Sequence, residues 1–236
     1  MEKGIRVLGQ NVNGSIITFP SGEVIIVDTL LNPEETAVLF QEASSLGTVA
    51  YVINTHEHGD HLAGNKHFDC PIICTDLARA AIVDSANAQL KIPSVTFTQR
   101  LTLYLGEPVE LHCVGGHSPG CLVVYLPTRK VLFTGDLVFN GRMPYMGYAD
   151  FPVWISALEE LYEWDIELVI PGHGVVGNKE ILLLQKQYLE SFVGEVKTFY
   201  SQGLSLDDIF TKICAQYTPP ERWLQMVRRA IELAVL

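Results

Sequence analysis

The sequence predicts an α+β protein in which two β-sheets pack face to face with helices outside, followed by a C-terminal helical extension. Three observations carry that expectation. Short apolar runs separated by turn residues recur through residues 15–75 and again through 109–170. Each series also contains apolar residues at helical spacing. From Lys179 the pattern is helical almost to the end of the 236-residue chain, broken at Gly203 and at Pro219-Pro220. Apolar runs this dense need cover on both faces, which paired sheets with outer helices provide.

In chain order, residues 15–19 and 23–28 flank Pro20-Ser21-Gly22, a hairpin signal. Pro33 with Glu34 and Glu35 opens a helix expected to reach Leu46 and stop at Gly47. Residues 49–53 and 71–75 read as buried strands. Asp76 is the expected N-cap of a helix carrying Ala78, Ile82 and Val83. The second series reads as strands at 109–114, 121–126 and 130–133. A helix through Trp154, Leu158 and Leu161 follows, then a strand at 168–170. With no linker or repeat, residues 1–236 are expected to form a single domain that includes the extension at about 179–236.

Composition narrows the function. Hydrophobic residues make up 48% and charged residues 18%, as in a well-packed globular protein. Acidic residues outnumber basic ones 27 to 16, a net charge of −11. Nucleic-acid backbones and anionic bilayers both call for a basic surface, so neither is an expected partner. No run approaches the roughly 18–20 apolar residues of a membrane helix, and the opening residues lack the apolar core of a leader. A cytoplasmic protein with a small-molecule substrate is expected. The five cysteines form no CxxC pair and read as free thiols, mostly in apolar strands.

The chemistry gathers at Thr55-His56-Glu57-His58-Gly59-Asp60-His61, directly after the strand at 49–53. Imidazole and carboxylate suit zinc, and also iron or manganese. Asp60 stands where a helical HExxH motif would need a histidine. Three further groups follow strands through glycine-containing turns: His117 after Gly115-Gly116, Asp136 after Gly135 and His173 after Gly172. Ligands collect at the carboxyl ends of strands in α/β proteins. Seven donors exceed the need of one tetrahedral ion and match two ions sharing a bridging group, the natural role for Asp136. His67 and His112 read as structural or surface imidazoles. Glu57 points away from its neighbours if the segment is extended.

His56-x-His58-x-Asp60-His61 followed by His117, Asp136 and His173 resembles the metallo-β-lactamase superfamily in its dinuclear hydrolase form, over roughly residues 5–180. The resemblance implies a four-layer αββα sandwich with the site at one edge. It also implies that His56, His58 and His117 hold one metal, that Asp60, His61 and His173 hold another, and that Asp136 bridges them. Departures from the pattern narrow the group. Zinc β-lactamases carry a signal peptide, and one major class has a cysteine where Asp136 stands. Flavodiiron proteins have a glutamate at the place of His58. Glyoxalase II and persulfide dioxygenases carry a Cys-Gly-Arg segment soon after the bridging aspartate, where this chain has Phe139-Asn140-Gly141-Arg142-Met143-Pro144-Tyr145. The tRNA-processing nucleases share the first motif but need an RNA-binding surface.

The implied reaction is hydrolysis of a small ester, thioester or lactone at two zinc ions, with iron or manganese as alternative metals. Metal coordination lowers the pKa of water from about 15.7 to about 7 and so provides hydroxide at neutral pH. Asp60, a ligand beside that nucleophile, is the expected catalytic proton carrier. Arg142, Met143 and Tyr145 are the expected substrate contacts. Residues 11–14 are expected to form a flap, and Arg222 and Trp223 a lid. The alternative activities are a mononuclear iron oxidoreductase of the persulfide-dioxygenase type and a phosphodiesterase or nuclease.

Overall fold

The computed structural model describes residues 3–236 and builds two sheets. Met1 and Glu2, part of the opening stretch read for a leader, lie outside the described residues. The chain first forms an antiparallel meander, β1 (Ile5–Leu8), β2 (Gly14–Thr18) and β3 (Glu23–Val27). Helix α1 (Pro33–Leu46) follows, its Asn32 side chain accepting from the backbone N–H of Glu34 and Glu35. Such a cap is worth about 1 kcal/mol. The crossover returns the chain to β4 (Thr48–Ile53), parallel to β3. After the one-turn helix α2 (Gly59–Leu62), β5 (Ile72–Thr75), α3 (Asp76–Asp84) and β6 (Val95–Phe97) extend the sheet in parallel.

The second sheet starts with β7 (Arg100–Tyr104), β8 (Pro108–Cys113) and β9 (Leu122–Leu126), all antiparallel. Strand β10 (Val131–Asn140) continues it. After α4 (Phe151–Tyr162), β11 (Leu168–Gly174) closes the sheet in parallel to β10. Helices α5 (Glu180–Ser201), α6 (Leu206–Tyr217) and α7 (Leu224–Val235) complete the chain.

Burial follows the two-residue period of the strands. Ile17, Ile25 and Ile53 of the first sheet face Leu111, Val124 and Phe133 of the second in the central core. The opposite face of the first sheet, with Ile16, Ile26 and Val52, packs on Leu39 of α1. The opposite face of the second sheet, with Val123 and Leu132, packs on Trp154 and Leu158 of α4. Leu189, Ile209 and Val227 of α5, α6 and α7 join that same cluster. The fold is therefore an αββα sandwich whose helical extension thickens the second outer layer. Among the described residues no helix is long and apolar enough to cross a membrane.

Three details differ from expectation. Thr75, not Asp76, caps α3: its hydroxyl accepts from the Ala78 N–H, and Asp76 is the first helical residue. Strand β10 does not stop at Phe133 but runs through Asp136 to Asn140, held by β11 despite two register shifts. Strands β1, β6 and β7 were not expected. They are edge segments of three to five residues, interrupted by Arg6, Thr96 or Arg100 and Thr102, so none carries a long apolar run.

Candidate metal centre

The polar motif sits where four chain segments end at one rim of the sandwich. Strand β4 delivers the loop carrying His56 and His58, and α2 adds Asp60 and His61. The turn between β8 and β9 supplies His117, and the irregular stretches of β10 and β11 supply Asp136 and His173. Close backbone approach makes this possible. A Cβ at Gly172 would overlap the Asp136 carboxylate, and Gly135, at φ +49°, lies against the Thr55 side chain. Only glycine fits both demands at position 135.

All seven expected donors come together, in two groups. In the first, His58 Nδ1 lies 3.0 Å from His56 Nε2 and 3.1 Å from His117 Nε2. Asp136 Oδ2 lies 3.6 Å from each of those two Nε2 atoms. In the second, Asp136 Oδ1 is 3.1 Å from His61 Nε2 and 3.3 Å from His173 Nε2. Asp60 Oδ2 is 3.5 Å from His173 Nε2 and 3.8 Å from His61 Nε2. One carboxylate thus gives an oxygen to each group.

These residues fit metal ions. A tetrahedral ion with bonds of about 2.0–2.1 Å spaces its ligand atoms about 3.3 Å apart, close to the separations observed. His61 Nε2 and Asp136 Oδ1, which face each other inside the second group, are buried without a hydrogen-bond partner, a costly arrangement in a protein interior. The 3.1 Å approach of His61 Nε2 to Asp136 is out of line for a hydrogen bond, so an ion satisfies both atoms better than they satisfy each other. Three imidazoles converging on one point also repel if charged. Burial, reinforced by the neighbouring histidines, holds His56 well below the usual imidazole range and pushes His117 down to about 3. His58 is lowered by burial as well. All three stay neutral at pH 7, the form that binds metal. His61 behaves oppositely. Burial lowers it, but the Asp136 and Asp28 carboxylates on either side outweigh burial and raise it well above the usual value. Asp136 is held well below the carboxylate range, burial being overcome by His61, His173 and His56.

Asp28, which the sequence reading missed, sets ring orientation in both groups. It is buried just after β3 at φ +60°. Its carboxylate accepts from the Thr55 N–H (2.8 Å), the Thr55 hydroxyl (2.8 Å) and His61 Nδ1 (2.7 Å). That last bond places the His61 proton on Nδ1 and leaves Nε2 to face Asp136. Because the Thr55 hydroxyl spends its hydrogen on Asp28, its lone pair receives the Nδ1 proton of His56, 3.0 Å away. His56 Nε2 is likewise left free to face inward. A signal was present: Asp28 ends an apolar strand, as the site's other donors do.

A cleft of about 720 Å³ opens onto this rim. Of the expected substrate contacts, Arg142 and Tyr145 line it, together with Arg222 and Trp223 from the C-terminal extension. Met143 is not among the lining residues; it packs on the core cluster that includes α5. Tyr145 stands 5.9 Å from the His58 ring and meets Trp223 edge-on at 6.2 Å. Burial, then Tyr148, raises its phenol, which remains a hydrogen-bond donor at neutral pH. Residues 11–14 border the cleft but are tied down: the Asn13 N–H donates to Gly172 and its amide to Pro171 and Gly174. His67 is exposed on a 3-10 turn, and His112 packs 4.9 Å from Trp164; neither joins the centre. Glu57 turns away and accepts from the Ser118 hydroxyl, joining the first motif to the His117 turn.

Residues 8–173 match the metallo-beta-lactamase superfamily. The chain is 26% identical over 195 residues to a metallo-beta-lactamase type 2 of Bacteroides fragilis, covering 78% of each. It is 30% identical over 144 residues to a hydroxyacylglutathione hydrolase of Mesorhizobium japonicum. That match covers 60% of this chain and spans only about half (53%) of the relative. Among solved structures, the fold is similar to DIM-1 metallo-beta-lactamase at a TM-score of 0.72 and 24% identity, covering 81% of this chain and 95% of that one. A metallo-beta-lactamase from Pontibacter korlensis matches at 0.70 and 24%, covering 80% and 96%. The chain belongs to the metallo-beta-lactamase superfamily and is one of its hydrolases.

Proposed function

We propose that this hydrolase is a cytoplasmic enzyme holding two zinc ions, and that it cleaves a small ester, thioester or lactone. The observation that carries the reading is the Asp136 carboxylate, with one oxygen turned to each group of donors. His56, His58 and His117 hold one ion; Asp60, His61 and His173 hold the other. Zinc held by these residues would lower the pKa of water to near neutrality and would act as a Lewis acid toward a carbonyl oxygen.

The chain's own residues do the rest. Asp60 is half-buried at the cleft side of the second group, where its carboxylate accepts the proton released during attack and hands it to the leaving group. Tyr145 donates its phenolic hydrogen to a substrate oxygen arriving beside His58. Tyr145, Tyr148 and Trp223 form an apolar wall suited to a compact acyl group. Arg142 borders the same cleft, while Met143 supports its loop from behind. A net charge of −11 repels a long polyanion, which favours a small carbonyl substrate over a nucleic acid.

The test offers zinc-loaded and iron-loaded protein a panel of esters, thioesters, lactones and phosphodiesters while oxygen uptake is followed. Hydrolysis of carbonyl substrates by the zinc form is the expected result. Oxygen consumption by the iron form with an idle zinc form, or fast phosphodiester cleavage alone, contradicts it.

A further inference from the structure

His173 is the one imidazole of the centre whose orientation depends on a distant, exposed piece of chain. Its ring stacks on Phe139 at 4.8 Å, and its Nδ1 lies 2.7 Å from the Asn11 carbonyl. A carbonyl only accepts, so Nδ1 carries the hydrogen and Nε2 turns to Asp60 and Asp136. What holds that carbonyl in place is therefore what aims His173.

Besides the Glu35 carboxylate, which accepts from the Gln10 N–H at 3.2 Å at the start of the segment, two side chains hold it. Asn13, two residues on, places its amide nitrogen 2.9 Å from both the Pro171 and Gly174 carbonyls, while its backbone N–H donates to Gly172 at 2.8 Å. Three bonds thus fasten segment 10–13 to the turn on both sides of His173. Only the nitrogen of the amide can face two carbonyls, so the donor assignment follows from the partners. From across the cleft mouth, the Arg142 guanidinium donates to the Asn11 carbonyl at 3.3 Å and to the Gln10 carbonyl at 3.2 Å.

We propose that segment 10–13 is a fixed strap for His173, and that Asn13 and Arg142 are positioning residues that set the metal affinity of the second group without setting that of the first. The inference rests on the two-ion reading above. It gives Arg142 a role separate from substrate contact, and it makes the expected flap a fixed part of the centre. The physical reason is general: the outer partner of a ligating histidine fixes its tautomer and aim, and its loss weakens metal binding about 10–100-fold.

Zinc titrations of metal-free wild type, N13D, R142A and R142K, each against a chromophoric chelator, test this directly. Circular dichroism and melting temperature report folding. N13D keeps the shape of the side chain but removes both donors. Its second zinc equivalent is expected to weaken about 10–100-fold, and the first by less than about threefold. R142A should weaken the second equivalent about tenfold, and R142K, which restores one charged donor, should recover part of that loss. Position 142 is exposed, so R142A decides the matter even where N13D fails to fold. Wild type binding two ions with an unchanged second equivalent in R142A overturns the strap alone, as does equal weakening of both equivalents. Wild type binding a single ion overturns the two-ion reading, and the strap with it.

Discussion

The two groups of donors share a carboxylate yet are built on opposite plans. The first is the more interior: the His56 and His117 side chains are fully buried, only His58 of its histidines borders the cleft, and the His117 ring lies 5.3 Å from Trp154 and 5.7 Å from Phe139. Burial, reinforced by the neighbouring histidines, keeps its imidazoles neutral. The second is a border structure. The His61 side chain is fully buried, but those of Asp60 and His173 are 34% and 14% exposed to the cleft. Its geometry is imposed by partners outside the group, Asp28 for His61 and Asn11 for His173. The first half leans on the core with one hydrogen bond relayed from Asp28 through Thr55 to His56, and the second on direct hydrogen bonds at the cleft side, so the second half is the more easily perturbed by solvent, protons and substitution.

The largest effect should come from removing what the halves share. Asp136→Ala is expected to lower affinity for both ions by more than the roughly hundredfold that outer partners cost, and to abolish turnover. Metal analysis after dialysis checks it; retention of two tight ions breaks the shared-carboxylate geometry. Next in size is Asp28→Asn. Asparagine tolerates the left-handed backbone at this position, so the fold should survive. The second ion should weaken about 10–100-fold, and the first by less, because Asp28 reaches His56 only through Thr55. Equal losses at both would erase the distinction between direct and relayed support.

Proton competition sharpens the comparison. His61 is raised above the usual imidazole range, so at neutral pH and below it holds a second proton that an incoming ion must displace. Affinity for the second ion should therefore rise by about tenfold per pH unit as pH increases toward His61's raised value, then level off. His117, pushed down to about 3, and His56, also lowered, release no proton in that window. Affinity for the first ion should vary little between pH 6 and 8. Calorimetry in buffers of different ionisation enthalpy reads the protons released; equal release at both steps contradicts the assignment. The smallest effect belongs to His112→Ala, outside both groups. It should leave metal content and activity unchanged while costing about 0.5–1.5 kcal/mol from its contact with Trp164.

The same division explains what the sequence made legible. The seven donors were visible because each follows an apolar strand through a short turn, a local pattern read within a few residues. Helix α1 was equally plain, with Pro33 at its start and Gly47 at its end. The supports were hidden because they are long-range. Asp28 meets His61 across 33 residues, and Asn11 meets His173 across 162. The far half of β10 was hidden for a related reason: Gly135 and Asp136 read as a turn, and only pairing with β11 keeps them in the sheet. Met143 looked like a cleft residue because it sits between Arg142 and Tyr145. Its side chain turns into the core cluster instead.

The most direct measurement of the central claim is anomalous scattering at the zinc edge from crystals of zinc-loaded protein. Two peaks about 3.5–4 Å apart are predicted, one beside Asp136 Oδ2 within reach of His56, His58 and His117, the other beside Oδ1 within reach of Asp60, His61 and His173. A single peak at saturating zinc, or two peaks without the Asp136 carboxylate between them, would contradict it.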